Sequence, residues 1–284
     1  RVPLMPHPVT RTLRRTFPSI LFLPLAAGAE LTIDWPHCSP ANDLDLNPGG
    51  TLTCGSGPGV TLPSTDVIAV LVDGELREEF TSVPLTGVTA RVSAGATLSE
   101  PAFDGLYGPV AGTTLINDGV IFAFGNGLST LGSGSSLVNN GDITVSGEPD
   151  GPEGMGAEGA NVTLTNGATG TITADGVFAE GMGIEGPGGH VVNRGDVAVA
   201  GFQASGLGIE GDDALLENLA TGTVTLGGDQ LSGALGIEGN DGRLLNAGTV
   251  LLNGFAHVGL ATLGARNALV HQGSLFTDGA PGSV

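Results

Sequence analysis

The stretch VVNRGDVAVAGFQASGLGIEG (191–211) decides how the whole chain reads. Within it, Gly195 is followed by a polar residue, an aliphatic, a free position, a second aliphatic, a free position and Gly201. The same seven-residue frame, G-x-[ILV]-x-[AVLT]-x-G, opens at Gly119, Gly141, Gly170, Gly195, Gly222, Gly248 and Gly273. The steps between these glycines are 22, 29, 25, 27, 26 and 25 residues, a spacing that belongs to stacked repeats.

Two positions after each opening glycine stand Ile121, Ile143, Ile172, Val197, Val224, Val250 and Leu275. Four positions after stand Ala123, Val145, Ala174, Val199, Leu226, Leu252 and Thr277. Alternation with period two predicts half-buried strands, not helices. Ahead of the frame comes a short apolar run ending in Asn117, Asn139, Asn166, Asn193, Asn218 or Asn246, with His271 in the last copy. Asn and Gly both tolerate left-handed backbone, so the spacing predicts a tight left-handed corner here. Stacked corners would let the Asn amides hydrogen-bond along a column. Two buried aliphatics cannot offset the ordering of a repeat this long, so a lone copy cannot fold and the copies must stack. The expected fold is all-β: a right-handed parallel β-helix of roughly seven or more coils over 87–284, behind an N-terminal cap over 30–86.

Composition agrees. Fifty of 284 residues are Gly and 4% are aromatic, yet 40% are apolar, which suits a narrow core of small aliphatics. There is no Lys, and beyond Ala29 five Arg face 29 acids, against a net charge of −20 for the whole chain. Such a chain repels phosphate backbones, which excludes nucleic-acid partners, and it cannot furnish the Lys of a phosphate-binding P-loop.

The first 29 residues read as an export signal. Arg11, Arg14 and Arg15 precede the apolar run FPSILFLPLAAGA (17–29), and Ala27 and Ala29 precede a small-residue cut before Glu30, with Met5 as a candidate start. Cys38 and Cys54 follow, and in an exported chain they predict a disulfide stapling the cap. Residues 61–106 are strand-rich but irregular, and the pattern there fits either early coils or a separate cap.

Between frames runs a second motif: GMGAEG (154–159), GMGIEG (181–186), GLGIEG (206–211) and ALGIEG (234–239). Three copies spell G-x-G-x-x-G, but a dinucleotide site needs a strand before it and a helix after it. Recurrence at the repeat period reads instead as a coil corner, with no cofactor. The motif stacks Glu158, Glu185, Glu210 and Glu238, and Asp212, Asp213 and Asp241 add oxygen ligands of the kind calcium takes. The weak calcium candidates are therefore Glu185, Glu210, Asp212, Asp213, Glu238 and Asp241; the alternative is a solvated acidic ridge. Arg194-Gly195-Asp196 spells the integrin tripeptide, although Gly195 and Asp196 are already accounted for by the frame. No nucleophile or zinc-protease signature occurs, and His190, His257 and His271 are scattered. Acids are plentiful enough to supply a carboxylate pair for glycoside hydrolysis. The expectation is nonetheless a chain without enzymatic activity.

LVNNGDITVSG (137–147), LTNGATGTITADG (164–176) and LLNAGTVLLNG (244–254) resemble the coils of bacterial autotransporter passenger domains. The resemblance covers roughly 113–279. It implies surface display with the help of an outer-membrane β-barrel translocator, either in cis beyond Val284 or in trans. It also implies adhesion to a host-cell or bacterial surface ligand. The three readings carried forward are a non-catalytic adhesin-like rod, a polysaccharide-active β-helix and a plain surface spacer.

Overall fold

The computed structural model describes residues 104–108, 111–147, 151–229, 232–255 and 257–278, together with short segments between 31 and 100. The export signal, Cys38 and Cys54 lie outside the described residues.

The chain is a parallel β-solenoid with three strands per coil. One sheet, the asparagine sheet, stacks Thr114–Asn117, Ser136–Asn139, Thr163–Asn166, His190–Asn193, Leu215–Asn218 and Arg243–Asn246. A second, the frame sheet, stacks Val120–Ala123, Asp142–Ser146, Thr171–Asp175, Asp196–Ala200, Thr223–Asp229 and Thr249–Phe255. The third, the glutamate sheet, stacks Leu128–Thr130, Glu153–Ala157, Glu180–Glu185, Ser205–Glu210, Gly233–Glu238 and Val258–Leu263. These six coils are preceded by Thr89–Val92, Thr97–Glu100 and Leu106–Gly108, and followed by Ala268–His271 and Ser274–Thr277. Beyond Thr89–Val92 the asparagine sheet continues in antiparallel sense with Val60–Thr61.

Registers are unbroken from coil to coil, as the core demands. In the frame sheet Ile121, Ile143, Ile172, Val197, Val224 and Val250 pair in register and are all essentially fully buried. The asparagine sheet adds Leu115, Leu137, Leu164, Val191, Leu216 and Leu244, and the glutamate sheet adds Met155, Met182, Leu207 and Leu235. A one-residue slip in any strand would expose its whole inner row. The alternation read from the sequence is therefore the alternation of the core.

The asparagines form a continuous ladder inside the corner between the first two sheets. Each is fully buried and donates through Nδ2 to Oδ1 of the next: Asn117 to Asn139 (2.8 Å), Asn139 to Asn166 (2.9 Å), Asn166 to Asn193 (3.0 Å), Asn193 to Asn218 (2.9 Å) and Asn218 to Asn246 (2.8 Å). The other Nδ2 hydrogen reaches a frame-strand carbonyl of the following coil, such as Thr223 for Asn193. The longer turns after Asn166 and Asn218 leave Ala168, Thr169, Ala220 and Thr221 exposed, and the column continues unbroken past them.

One expectation about this corner is overturned. None of its residues has positive φ; Gly is required for space, because a Cβ on Gly195 would strike the carbonyl oxygens of Gly170 and Gly167. Left-handed backbone sits at the other two corners. Two residues before each strand of the asparagine sheet from Thr114–Asn117 to Ala268–His271 stand Gly112, Gly134, Asn161, Gly188, Asp213, Asp241 and Arg266, with φ between 56 and 71°. Before the glutamate sheet the same offset holds Phe178 and Gln203.

Candidate functional site

The motif read as a corner is a strand. GMGA, GMGI and GLGI lie within Glu153–Ala157, Glu180–Glu185 and Ser205–Glu210, and in the last two copies only the final Gly lies beyond the strand. The correction has a steric cause: these glycines make room rather than bends. Strand pairing skips Gly154 and Gly181, and their missing side chains leave space for Ile172 and Val197 of the frame sheet. Met182 and Ile184 then point inward, which turns Gly183 outward.

The outer surface of this sheet is consequently a glycine-floored strip. Gly156, Gly183, Gly208 and Gly236 stand in register down its middle. Along one side run Glu153, Glu180, Ser205 and Gly233; along the other run Glu185, Glu210 and Glu238. The Glu153 carboxyl folds over Gly156, and that of Glu180 over Gly183 and Gly208, so that a Cβ at any of the three would hit a carboxyl oxygen. Gly233 and Gly236 have open space above them.

Burial holds the Glu180 carboxyl well above the usual carboxylate range, and the neighbouring Glu153 pushes it the same way. A hydrogen bond with Ser205 opposes this shift, while Glu210 and Glu185 add smaller increments to it. Glu153 and Glu180 thus lie side by side on this strip, each weakening the ionisation of the other.

Sequence reasoning passed over Glu153 and Glu180. Their signal is the repeat of EGMG at 153–156 and 180–183, one coil apart. It was hidden because Ser205 and Gly233 occupy the same place in the next two coils.

The residues that were singled out fall into three places. Glu185, Glu210 and Glu238 stack in register, with Glu185 and Glu210 exposed. Asp212, Asp213 and Asp241 lie in the turns between the glutamate and asparagine sheets and serve that corner. Asp212 accepts from the backbone N–H and side chain of Asn240, Asp213 and Asp241 hold the left-handed position, and Asp241 pairs with Arg266. That pairing keeps the Asp241 carboxyl below its ordinary range. Among the described residues no group of three or more His, Cys, Asp or Glu is arranged to hold a metal ion.

Arg194 and Asp196 are both exposed, on either side of the buried Gly195 in the asparagine corner. Their backbone is committed to the solenoid: Arg194 N donates to Asn166 O, and Asp196 begins a frame strand. The three histidines are not brought together. His190 contacts Glu217 at 3.1 Å on the asparagine sheet, His257 is buried at a corner, and His271 ends the ladder.

Comparison with known proteins adds no relative: no family model, no curated protein and no solved structure matches the chain.

Proposed function

We propose that the chain is a non-catalytic, exported cell-surface rod, adhesin-like, of the autotransporter passenger type. The observation that carries this reading is the architecture itself. Over the described coils the interior is filled by aliphatics and asparagines, so this reading places recognition on the outward strips and corners. The strongly acidic surface and the export-type leader support the same reading. Its partners are then an outer-membrane β-barrel translocator and a ligand on a host or bacterial surface. Expression of the gene, leader included, in a Gram-negative host with a suitable translocator tests it. Protease-accessible protein at the cell surface and increased adherence to epithelial or bacterial cells are expected. A chain kept inside with its leader uncut would overturn the proposal, and display without any adherence would leave the plain spacer.

A second reading rests on one specific observation, the Glu153 and Glu180 carboxyls folded side by side over the glycine strip, which opens beyond them at Gly233 and Gly236. Glycoside hydrolysis uses a protonated acid and a charged partner across an extended chain, and the open stretch over Gly233 and Gly236 would admit a sugar beside the two acids. Release of reducing sugar from a polysaccharide panel, lost in Glu180→Gln, would favour this reading over the adhesin.

A further inference from the structure

We propose that the corner between the frame and glutamate sheets is a docking seam for an arginine-rich segment of a partner protein. Among the described residues the core contains no Phe, and Phe122, Phe124, Phe178, Phe202 and Phe276 are all exposed. A narrow interior explains why rings are kept out, but not why two of them meet at one corner. Phe178 N donates to Phe202 O of the next coil at 2.9 Å, so their backbones are neighbours. With Val177 beside them, Phe178 and Phe202 leave 46, 37 and 43% of their surfaces open, in that order. Phe124 stands at the same corner of an earlier coil, its ring over Gly147.

The fold does not ask for Phe here. Phe178 has φ of 58°, in the left-handed region that a bulky side chain enters only at a cost. The equivalent position one coil on holds Gln203, and the other left-handed corner takes Gly, Asn, Asp or Arg. A ring held outward on strained backbone, next to a second exposed ring, marks a contact surface.

Charge selects the partner. Exposed Asp175 closes its frame strand three residues before Phe178, and Glu180 opens the glutamate strand two residues after it. Glu153 pairs with Glu180 in register. Across the six coils neither the frame strands nor the glutamate strands contain an Arg, a Lys or a His. Arg194, Arg243 and Arg266 lie on the asparagine sheet or at its corners, and His257, at the corner of the seam itself, is buried. Aromatic faces between rows of carboxyls suit a guanidinium, which stacks flat on a ring and offers its forked donors to the acids beside it. An ammonium lacks the plane for stacking, and a neutral saccharide gains nothing from the negative potential. An anionic lipid surface is repelled by a chain carrying −20. The seam names a ligand class for the surface rod proposed above and rests on that reading for where the partner is met. Binding by purified protein is measured without export, so the two fail separately.

Fluorescence anisotropy of labelled octa-arginine and octa-lysine with the full purified chain, at about 50 mM salt, tests the proposal. Octa-arginine is expected to bind, and more tightly than octa-lysine of equal charge. The double variant Phe178→Asn, Phe202→Ser should weaken octa-arginine about tenfold and octa-lysine less. Leu131→Ser, which removes an exposed apolar residue at another corner, should change neither. Asn tolerates the left-handed position, so the double variant keeps the fold; should it not, Phe202→Ser alone decides, with a loss of about threefold. Absence of octa-arginine binding, octa-lysine binding as tightly, undiminished binding in the variant or the same loss in Leu131→Ser would overturn the seam. Cellohexaose bound in place of octa-arginine and lost in the variant would also overturn it, in favour of a sugar platform.

Discussion

Asn193 shows how much one side chain carries in this fold. It accepts from Asn166 and from Gly195 N, and it donates to Asn218 and to Thr223 O, all inside the molecule. Asn193→Ala leaves several buried groups unpaired and is expected to cost about 3 kcal/mol in a denaturant titration. Gly201 has φ of 136°, and a Cβ there would land on the carbonyl oxygen of Gly176. Gly201→Ala should cost about 1–3 kcal/mol from backbone strain alone, read by the same titration. Glu180 behaves in the opposite sense. Its carboxyl is raised in the folded chain, so the fold binds a proton that the unfolded chain gives up. Stability therefore declines as pH climbs from the ordinary carboxylate value of 4.5 toward the raised one. Thermal melts should show Glu180→Gln stabilising the protein at pH 8 and leaving it unchanged at pH 4.

At the scale of the strand, the three sheets differ in how openly the sequence announces them. The frame strands were plain, because Ile143 and Val145, or Val197 and Val199, alternate with polar neighbours. The asparagine strands were half visible: Leu164 marks an inner position, but Leu215 and Leu245 face outward and blur the alternation. The glutamate strands were missed, since Gly154, Gly156, Gly181 and Gly183 are the residues that usually break a strand. Only the neighbouring side chains reveal why they are there: Ile172 and Val197 press from inside, Glu153 and Glu180 lie on the outside. That information is three-dimensional, and it also hid the acid pair. Leu207, by contrast, is an ordinary core residue of such a strand with no exposed surface. Leu207→Ala should lose about 2–5 kcal/mol, measured by thermal or chemical denaturation.

For the molecule as a whole, excess negative charge sets the response to the medium. The in-register Glu185, Glu210 and Glu238 repel one another along the axis, in a chain carrying −20 overall. Raising sodium chloride from about 10 to 200 mM should therefore raise Tm by screening. Chelator followed by millimolar calcium should leave Tm unchanged beyond that ionic effect, since Asp212 and Asp241 are already engaged by Asn240 and Arg266. The carbonyl contacts at the corners have a longer reach. Gly201 sits on Gly176, Gly211 on Gly186 and Gly248 on Gly222, each too close for a methyl group. Plotted on the surface, tolerance to substitution would thus form lengthwise bands: narrow forbidden seams at the vertices, broad permissive panels between them. A lineage can repaint those panels freely while the seams stay bare, which lets binding preference drift without the scaffold changing shape.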